Sequence, residues 1–473
     1  MTLFWFLTAA TALWYATYRL ARRSAAQPVA FAFGGEASPR AYGQMLADVS
    51  VLLLLATFGV LVRLHETGAE TALLALCCVV AFALAKSLDQ PWSGAAIAGL
   101  ALGAVTLTRG VLPAAILLPA ALIFIATQGR HRALRCVIVI VLTVLLPALW
   151  LTGTLAQFPA QASAYVAAWR DWNATNIRVP GADGVIWLGR NLGWYTWPLW
   201  PFALWTIYSW RHHLRQPHIL LPLLLTACGT LAVLLSSAPS DREFQLAVPG
   251  LVMLAVFGVS SLKRSAEDAI DWFALALFSL ALAAIWLYYV AWNTGTPPKM
   301  AGSIARLAPG VEPSFIPWSV AVALVLTLTW VALVVWRVRF RPTVLWRGPL
   351  LAASGLTAAW GVALLLFLEP INANRSYAAA AITLSDQLRR VNGNECVQAH
   401  RLPAGIKAMI AYYGGIRFER PADPGLCRVA LQRDSRRSSL DDAPPIGDWE
   451  LAYELTRRAR YDEVYRIWVR RDR

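Results

Sequence analysis

Residues 134–153, LRCVIVIVLTVLLPALWLTG, hold one charge, Arg135 beside the first residue, and are otherwise almost wholly apolar. At about 1.5 Å per residue a helix of that length reaches across about 30 Å of hydrocarbon. A helix apolar on every side has no place on a soluble surface, and lipid is the solvent that suits it. Similar blocks lie at 2–19, 46–62, 70–85, 93–108, 111–127, 191–210, 217–237, 244–262, 271–292, 316–336 and 348–368. Across the 473 residues 58% are hydrophobic and only 15% charged, which would leave a soluble protein with too much apolar surface to hide. The fold expected is an α-helical polytopic membrane protein with about twelve transmembrane helices. The blocks at 93–108 and 111–127 are joined so tightly that they read equally as one helical hairpin, which shifts the count by one.

Lys and Arg in the connecting segments set the orientation, because positively charged short loops stay cytoplasmic. The segments at 19–40, 86, 130–135, 211–215, 263–264 and 337–347 hold sixteen Lys and Arg. The alternate segments hold eight: Arg63, Arg109, Arg170, Arg178, Arg190, Arg242, Lys299 and Arg306. This places the N-terminus, the 154–190 and 293–315 loops and everything after residue 369 outside the cytoplasm. In a soluble chain a net charge of +15 would point to nucleic acid. Here the excess sits in loops and in an arginine-rich tail, so topology and anionic lipid headgroups account for it and no nucleic-acid partner is expected. The apolar run begins at Leu3 with no basic region or cleavage site before it, so the first helix is expected to serve as its own insertion signal. The location expected is the bacterial inner membrane.

The expected division is a membrane domain over 1–369 and a small periplasmic α/β domain over 370–473. In the latter, 374–390 reads as an amphipathic helix with Tyr377, Ala381, Leu384 and Leu388 as its apolar stripe. Strands are expected at 395–399, 416–419, 429–432 and 464–469, with a helix over 406–413 and a flexible polar loop over 433–445. Cys77, Cys78, Cys136 and Cys228 fall within apolar helices and read as packing residues. Cys396 and Cys427 stand apart in the tail, 31 residues from one another on the oxidising side, and are expected to form a disulfide.

No Walker loop, dinucleotide-binding glycine pattern, zincin motif or serine nucleophile elbow is present. Chemistry is instead sought among ionisable groups at membrane helix ends, which are costly to keep there. Three groups share the outer face: Arg63, His65, Glu66 and Glu70 after the second apolar block, Arg109 after the fourth, and Asp241, Arg242 and Glu243 after the eighth. The segment from 154 adds Trp169, Arg170, Asp171 and Trp172, then Trp187, Arg190, Trp194, Tyr195, Trp197 and Trp200. An interfacial anchor is the ordinary explanation for any one of these. Together they suit a shared polar cavity, because sugars stack on aromatic rings and phosphates pair with Arg.

Three segments carry a family likeness: 106–113 (TLTRGVLP), 194–201 (WYTWPLWP) and 241–250 (DREFQLAVPG). In that order they resemble the membrane glycosyltransferases of the C superfamily, in the branch of bacterial aminoarabinose transferase and protein O-mannosyltransferases. The resemblance implies transfer of a sugar from a polyprenyl-phosphate carrier, the donor substrate, to a lipid or protein acceptor at the periplasmic face by an inverting displacement. It implies substrate contacts from Arg63, His65, Arg109, Arg170, Trp194, Tyr195, Asp241 and Arg242, with Arg109 and Arg242 on phosphate. In the family an Asp or Glu in the first outer loop acts as general base. This chain opens directly into an out-to-in helix, so the first helix and its acidic loop are expected to be missing through truncation or a misassigned start, or else the acid role falls to Glu66 or Glu70. No metal-ligand set is legible, and a divalent metal at the phosphate stays open. A transporter or flippase of a polyprenyl-linked glycan is the alternative, weakened by charges lying at helix ends, and a non-catalytic membrane subunit is a third reading.

Overall fold

The computed structural model describes residues 1–28, 37–64, 68–237, 243–262, 264–308, 311–340, 347–392, 396–419, 427–435, 449–457 and 463–470. Among them are nineteen α-helices and four strands. The helices are α1 (Thr2–Ala21), α2 (Pro39–Leu55), α3 (Phe58–Leu64), α4 (Ala69–Ser87), α5 (Pro91–Arg109), α6 (Val111–Ala126) and α7 (Arg132–Gln157). They continue with α8 (Ala162–Thr175), α9 (Ala182–Tyr195), α10 (Leu199–Ser209), α11 (Pro217–Leu235), α12 (Val248–Val259), α13 (Arg264–Thr294), α14 (Pro298–Leu307), α15 (Pro317–Phe340) and α16 (Arg347–Leu366). The series ends with α17 (Leu368–Arg375), α18 (Ala378–Asn392) and α19 (Ala404–Gly414).

Every one of the twelve apolar blocks falls on helix, those at 46–62, 191–210 and 244–262 being shared with a second element or a turn. Seven helices, α4, α5, α7, α11, α13, α15 and α16, are long and apolar enough to cross a membrane by length and composition. Helices α6 and α12 are apolar but shorter, and α2 carries Arg40, Gln44 and Asp48 along its length. On α7 the exposed residues include Val137, Ile140, Val141, Val144 and Leu149. A helix face of that kind is stable in hydrocarbon and not in water.

By compactness the chain forms two units, Met1–Ser279 with Thr329–Ala358, and Leu280–Leu328 with Ala359–Arg473, the cuts falling inside α13, α15 and α16. The first unit packs α1 on α4, α4 on α5, and α5 on α7. Small residues bring these helices close, as expected where lipid-facing helices associate by van der Waals contact. A Cβ at Gly99 would stand 2.8 Å from the Val139 carbonyl oxygen, and one at Gly103 3.1 Å from Leu146 Cβ. Helix α12 is buried throughout its length, packing against α2, α10 and α11.

Within this unit an ionic cluster ties α13 to α15 and α16. Asp271, 1% exposed, receives Arg337 Nε and Arg347 Nε at 2.9 Å each. Arg337 and Arg347 also reach Asp268 at 3.1 and 2.8 Å, and Arg347 reaches Glu267 at 3.6 Å. Two arginines that count toward the positive loops in the sequence are therefore internal counter-ions to one buried acid, Asp271.

In the second unit, β1 (Val397–His400), β2 (Val429–Ser435), β3 (Trp449–Arg457) and β4 (Glu463–Arg470) form one sheet in the order β1-β2-β4-β3. β1 and β2 are parallel, and β4 is antiparallel to both β2 and β3. Val429, Leu431, Tyr465 and Ile467 pack with Ala381, Leu384, Leu388 and Ile410 of α18 and α19 in one apolar core. The expected strand at 416–419 is reduced to an isolated bridge from Phe418 to Val397. Of the loop expected over 433–445, Arg433, Asp434 and Ser435 belong instead to β2, and the rest lies outside the described residues. The sulfurs of Cys396 and Cys427 are joined at 2.12 Å with Cα atoms 5.4 Å apart, linking the start of β1 to the start of β2.

Glu463 organises one end of this sheet. It accepts from Arg433 at 2.8 Å, Arg457 at 3.1 Å and the Tyr377 and Tyr465 hydroxyls at 3.4 and 3.3 Å. Arg457 lies 3.9 Å over the Tyr377 ring and donates to the Asn374 and Ser376 carbonyls. Burial pushes the Glu463 pKa up, but the hydrogen bonds and charges of Arg433 and Arg457 outweigh it and hold the carboxyl below its ordinary 4.5.

Two predictions follow from these charges. Arg337→Ala leaves Asp271 with one partner in place of two and should cost about 2 kcal/mol, and removal of both arginines about 3–5 kcal/mol, read as a fall in the thermal unfolding midpoint in detergent. For Glu463, the folded pKa is the lower one, so its carboxylate stabilises the sheet above pH 4.5 and that contribution is lost as pH falls further, through the folded pKa. Amide exchange in β4 of the full chain should accelerate over that acid range, and Glu463→Gln should remove the acid-dependent part.

Candidate functional site

The site is built where α5 gives way to α6. Arg109 is the last residue of α5, Gly110 alone separates the helices, and α6 starts at Val111. A break that short leaves the first amides of α6 without partners in their own helix. Asn173 of α8 supplies one acceptor, its Oδ1 taking the Val111 N–H at 2.8 Å. Gly110 has φ +85°, a left-handed value that glycine adopts at no steric cost, and a Cβ there would lie 2.6 Å from the Trp172 ring and 2.7 Å from Asn173 Oδ1. The aromatic segment of α8 is thus seated directly on the α5–α6 junction.

Arg109 Nη2 reaches Glu243 Oε1 at 3.2 Å, with side chains 29% and 13% exposed. Glu243 opens a 3₁₀ turn, Glu243–Leu246, that leads into α12 and packs on α11. The next residue, Phe244, stacks on Tyr195 at 5.1 Å and on Trp187 at 5.5 Å. These rings set the turn, and the turn holds the acid against Arg109.

Beside the junction lies a cavity of about 550 Å³. Leu107, Val111, Ala114 and Leu118 of α5 and α6, Val144, Pro147, Ala148 and Leu151 of α7, and Tyr165, Trp169 and Trp172 of α8 line it. The lining is almost wholly apolar, and Arg109 stands between two lining residues, Thr108 and Gly110. An apolar trough of this size suits the chain of an amphiphile, and the Arg109 side chain, which is not part of the lining, pairs with Glu243 beside the same junction.

The other residues singled out in the sequence are placed as follows. Glu70 is in the first turn of α4, where a carboxylate complements the helix dipole, and it folds back over Gly68. Arg63 belongs to α3, and nothing of its side chain is described. His65, Glu66, Asp241 and Arg242 lie outside the described residues. Arg170 is exposed and contacts its neighbour Asp171 at 3.4 Å, away from the Arg109 pair. Trp194 donates to Asn191 at 3.0 Å and meets Phe58 edge-on at 5.9 Å. Tyr195 is fully buried against Gly59 and Phe244. The sequence reading missed Asn173 and Tyr165. The signal for Asn173 is indirect: a one-residue link demands an acceptor for the orphan amides of α6, and the neighbouring sequence offers none. Among the described residues no group of three or more His, Cys, Asp or Glu is placed to hold a metal ion.

Gly110→Ala should cost about 2–4 kcal/mol through the left-handed backbone and the clash with Trp172. Gly153→Ala, in α7 with nothing within 4 Å, should be neutral or stabilising. Unfolding midpoints of the two variants in one detergent make the comparison.

No family model matches the chain, and no curated protein does. Two crystal structures of ArnT from Cupriavidus metallidurans are similar in fold. The apo state aligns with TM-score 0.58 and 16% identity, and the form bound to undecaprenyl phosphate with TM-score 0.57 and 17% identity. Each alignment covers 98% of this chain and 83% of ArnT. The fold of this chain is therefore the ArnT fold, the architecture that the resemblance to C-superfamily membrane glycosyltransferases implied.

Proposed function

We propose that this protein transfers a sugar from a polyprenyl-phosphate-linked donor to a lipid or protein acceptor at the periplasmic face of the bacterial inner membrane. The observation that carries the reading is the apolar cavity beside the α5–α6 junction, where Arg109 follows the lining residue Thr108, in a fold shared with a protein crystallised with undecaprenyl phosphate. The polyprenyl chain occupies the trough between α6, α7 and α8, and the phosphate meets Arg109, with Arg242 as a second cation and Arg63, His65, Arg170, Trp194 and Asp241 as further substrate contacts; Tyr195, expected as a contact, is buried against Gly59 and Phe244 and supports the turn instead. Glu243 holds Arg109 in place through one Nη, leaving its other N–H groups for phosphate oxygens.

In the reaction the acceptor oxygen attacks the anomeric carbon from the side opposite the phosphate. The bond from that carbon to the phosphate oxygen breaks, and polyprenyl phosphate leaves with both bonding electrons. A carboxylate, Glu66 or Glu70, takes the acceptor proton. Arginines at the departing phosphate stabilise the charge that develops there. Residues 1–369 form the membrane domain that does this chemistry, and 370–473 a periplasmic domain whose Cys396–Cys427 disulfide suits an oxidising compartment.

Arg109→Ala in the full chain should weaken undecaprenyl phosphate binding about tenfold or more, while Arg109→Lys recovers part of it. Native mass spectrometry of the detergent-purified protein measures both. Unchanged binding in Arg109→Ala and in Arg242→Ala rejects the assignment of the phosphate site.

A further inference from the structure

The other end of the same membrane unit carries a second concentration of arginine with a different balance. Arg19, Arg22 and Arg23 close α1 and all turn to one acid: Arg19 Nη1 and Arg22 Nη2 lie 3.0 Å from Asp89 Oδ2, and Arg23 Nη2 lies 2.9 Å from Oδ1. Arg40, in the first turn of α2, is exposed and has no ion-pair partner among the described residues. Tyr18, Arg22, Arg23, Arg40 and Asp89 line a cleft of about 690 Å³. Among the described residues one carboxylate and three guanidinium groups line the cleft, an excess of two positive charges, and Arg19 reaches the same carboxylate from outside the lining.

The donors are in excess as well. Asp89 has two oxygens, already shared among three arginines, and the Nε groups of Arg19 and Arg23 are buried with no acceptor. A buried charged donor left without an acceptor is costly, about 1–3 kcal/mol or more. The geometry is held, not floppy: Arg22 lies 5.5 Å from the Tyr18 ring centroid, and Tyr18 stacks on Trp14 at 5.4 Å. Phosphate oxygens suit the guanidinium groups of Arg22, Arg23 and Arg40 that line the cleft, several acceptors and negative charge in one group that arginine forks match.

The depth of the cleft points to where such a phosphate comes from. Helix α1 ends at Ala21 and α4 at Ser87, two residues before Asp89, and the 19-residue α5 then runs from Pro91 to Arg109. At about 1.5 Å per residue, α5 separates Asp89 from Arg109 by about 28 Å, one hydrocarbon thickness. The cleft is therefore at headgroup level on the face opposite the candidate sugar-transfer site.

We propose that Arg22, Arg23 and Arg40, with Asp89 as the acid that aligns them, form a binding site for a phosphate group at the arginine-rich membrane surface, an anionic phospholipid headgroup or a soluble phosphate. The site is independent of the polyprenyl-phosphate reading, since it lies at the other end of α5. Native mass spectrometry of the full chain titrated with phosphatidylglycerol or phosphatidylcholine of the same acyl chains is the test. The wild-type protein should retain phosphatidylglycerol in preference, and the double variant Arg22→Gln, Arg40→Gln should lose that preference by about tenfold. A parallel arm adds inorganic phosphate: displacement of the retained lipid assigns the site to free phosphate, and no displacement assigns it to the headgroup. Arg40→Gln alone, which breaks no ion pair, keeps the test open should the double variant unfold. Equal retention of both lipids by the wild type, or a preference that survives in the folded variants, overturns the proposal.

Discussion

Hydrocarbon as the surrounding medium is the constraint from which the other features descend. The outward residues of α7, Val137, Ile140, Val144 and Leu149 among them, would carry a large penalty in water and carry none in lipid. The same medium removes the hydrophobic reason for helices to associate, so close packing must be supplied by shape. Gly99 and Gly103 let α5 approach α7 until backbone meets side chain, and Gly258 does the same for α12 beside Phe202 of α10. The trough between α6, α7 and α8 lies beside Pro147 within α7.

Lipid also dictates how charges are handled. An unpaired carboxylate at the position of Asp271 would be untenable, and two guanidinium groups meet it. Such a cluster adds little net energy over an apolar replacement of equal volume, because desolvation offsets attraction. Its contribution is directional: Arg337 and Arg347 have low-energy positions only when α15 and α16 stand at one rotation and height against α13.

The architecture was legible because a block of about twenty apolar residues means a spanning helix with little ambiguity. Ala381, Leu384 and Leu388 were legible as a helical stripe, and all three are buried in the small α/β core. What escaped the sequence has local causes. Strand β3 was missed although Trp449, Leu451, Tyr453 and Leu455 alternate with Glu450, Ala452, Glu454 and Thr456, the period-two pattern of a half-buried strand. The segment at 416–419 reads as strand, and Phe418 does pair with Val397 on the edge of β1 that β2 leaves open, but only at that one residue. At the site, Arg109 was readable from its place at a helix end. Its pairing with Glu243, 134 positions away, and the seating of Trp172 on Gly110 depend on tertiary packing that no short window contains.

The three arginine groups differ in one respect that separates structural roles from binding ones, the ratio of donors to acids. Around Asp271, two arginines face three acids, Glu267, Asp268 and Asp271, and little capacity for a ligand is left. At Arg109 the ratio is one to one through a single Nη, so the acid fixes the guanidinium and leaves its remaining donors to a substrate. At Asp89 the ratio among the described residues is four to one, an imbalance that an anion from outside would reduce. A count of Lys and Arg along the sequence treats all three groups as the same topology signal. The spatial ratio separates them: the first is a clamp, and the other two, one at each end of α5, are the groups proposed to bind an anion.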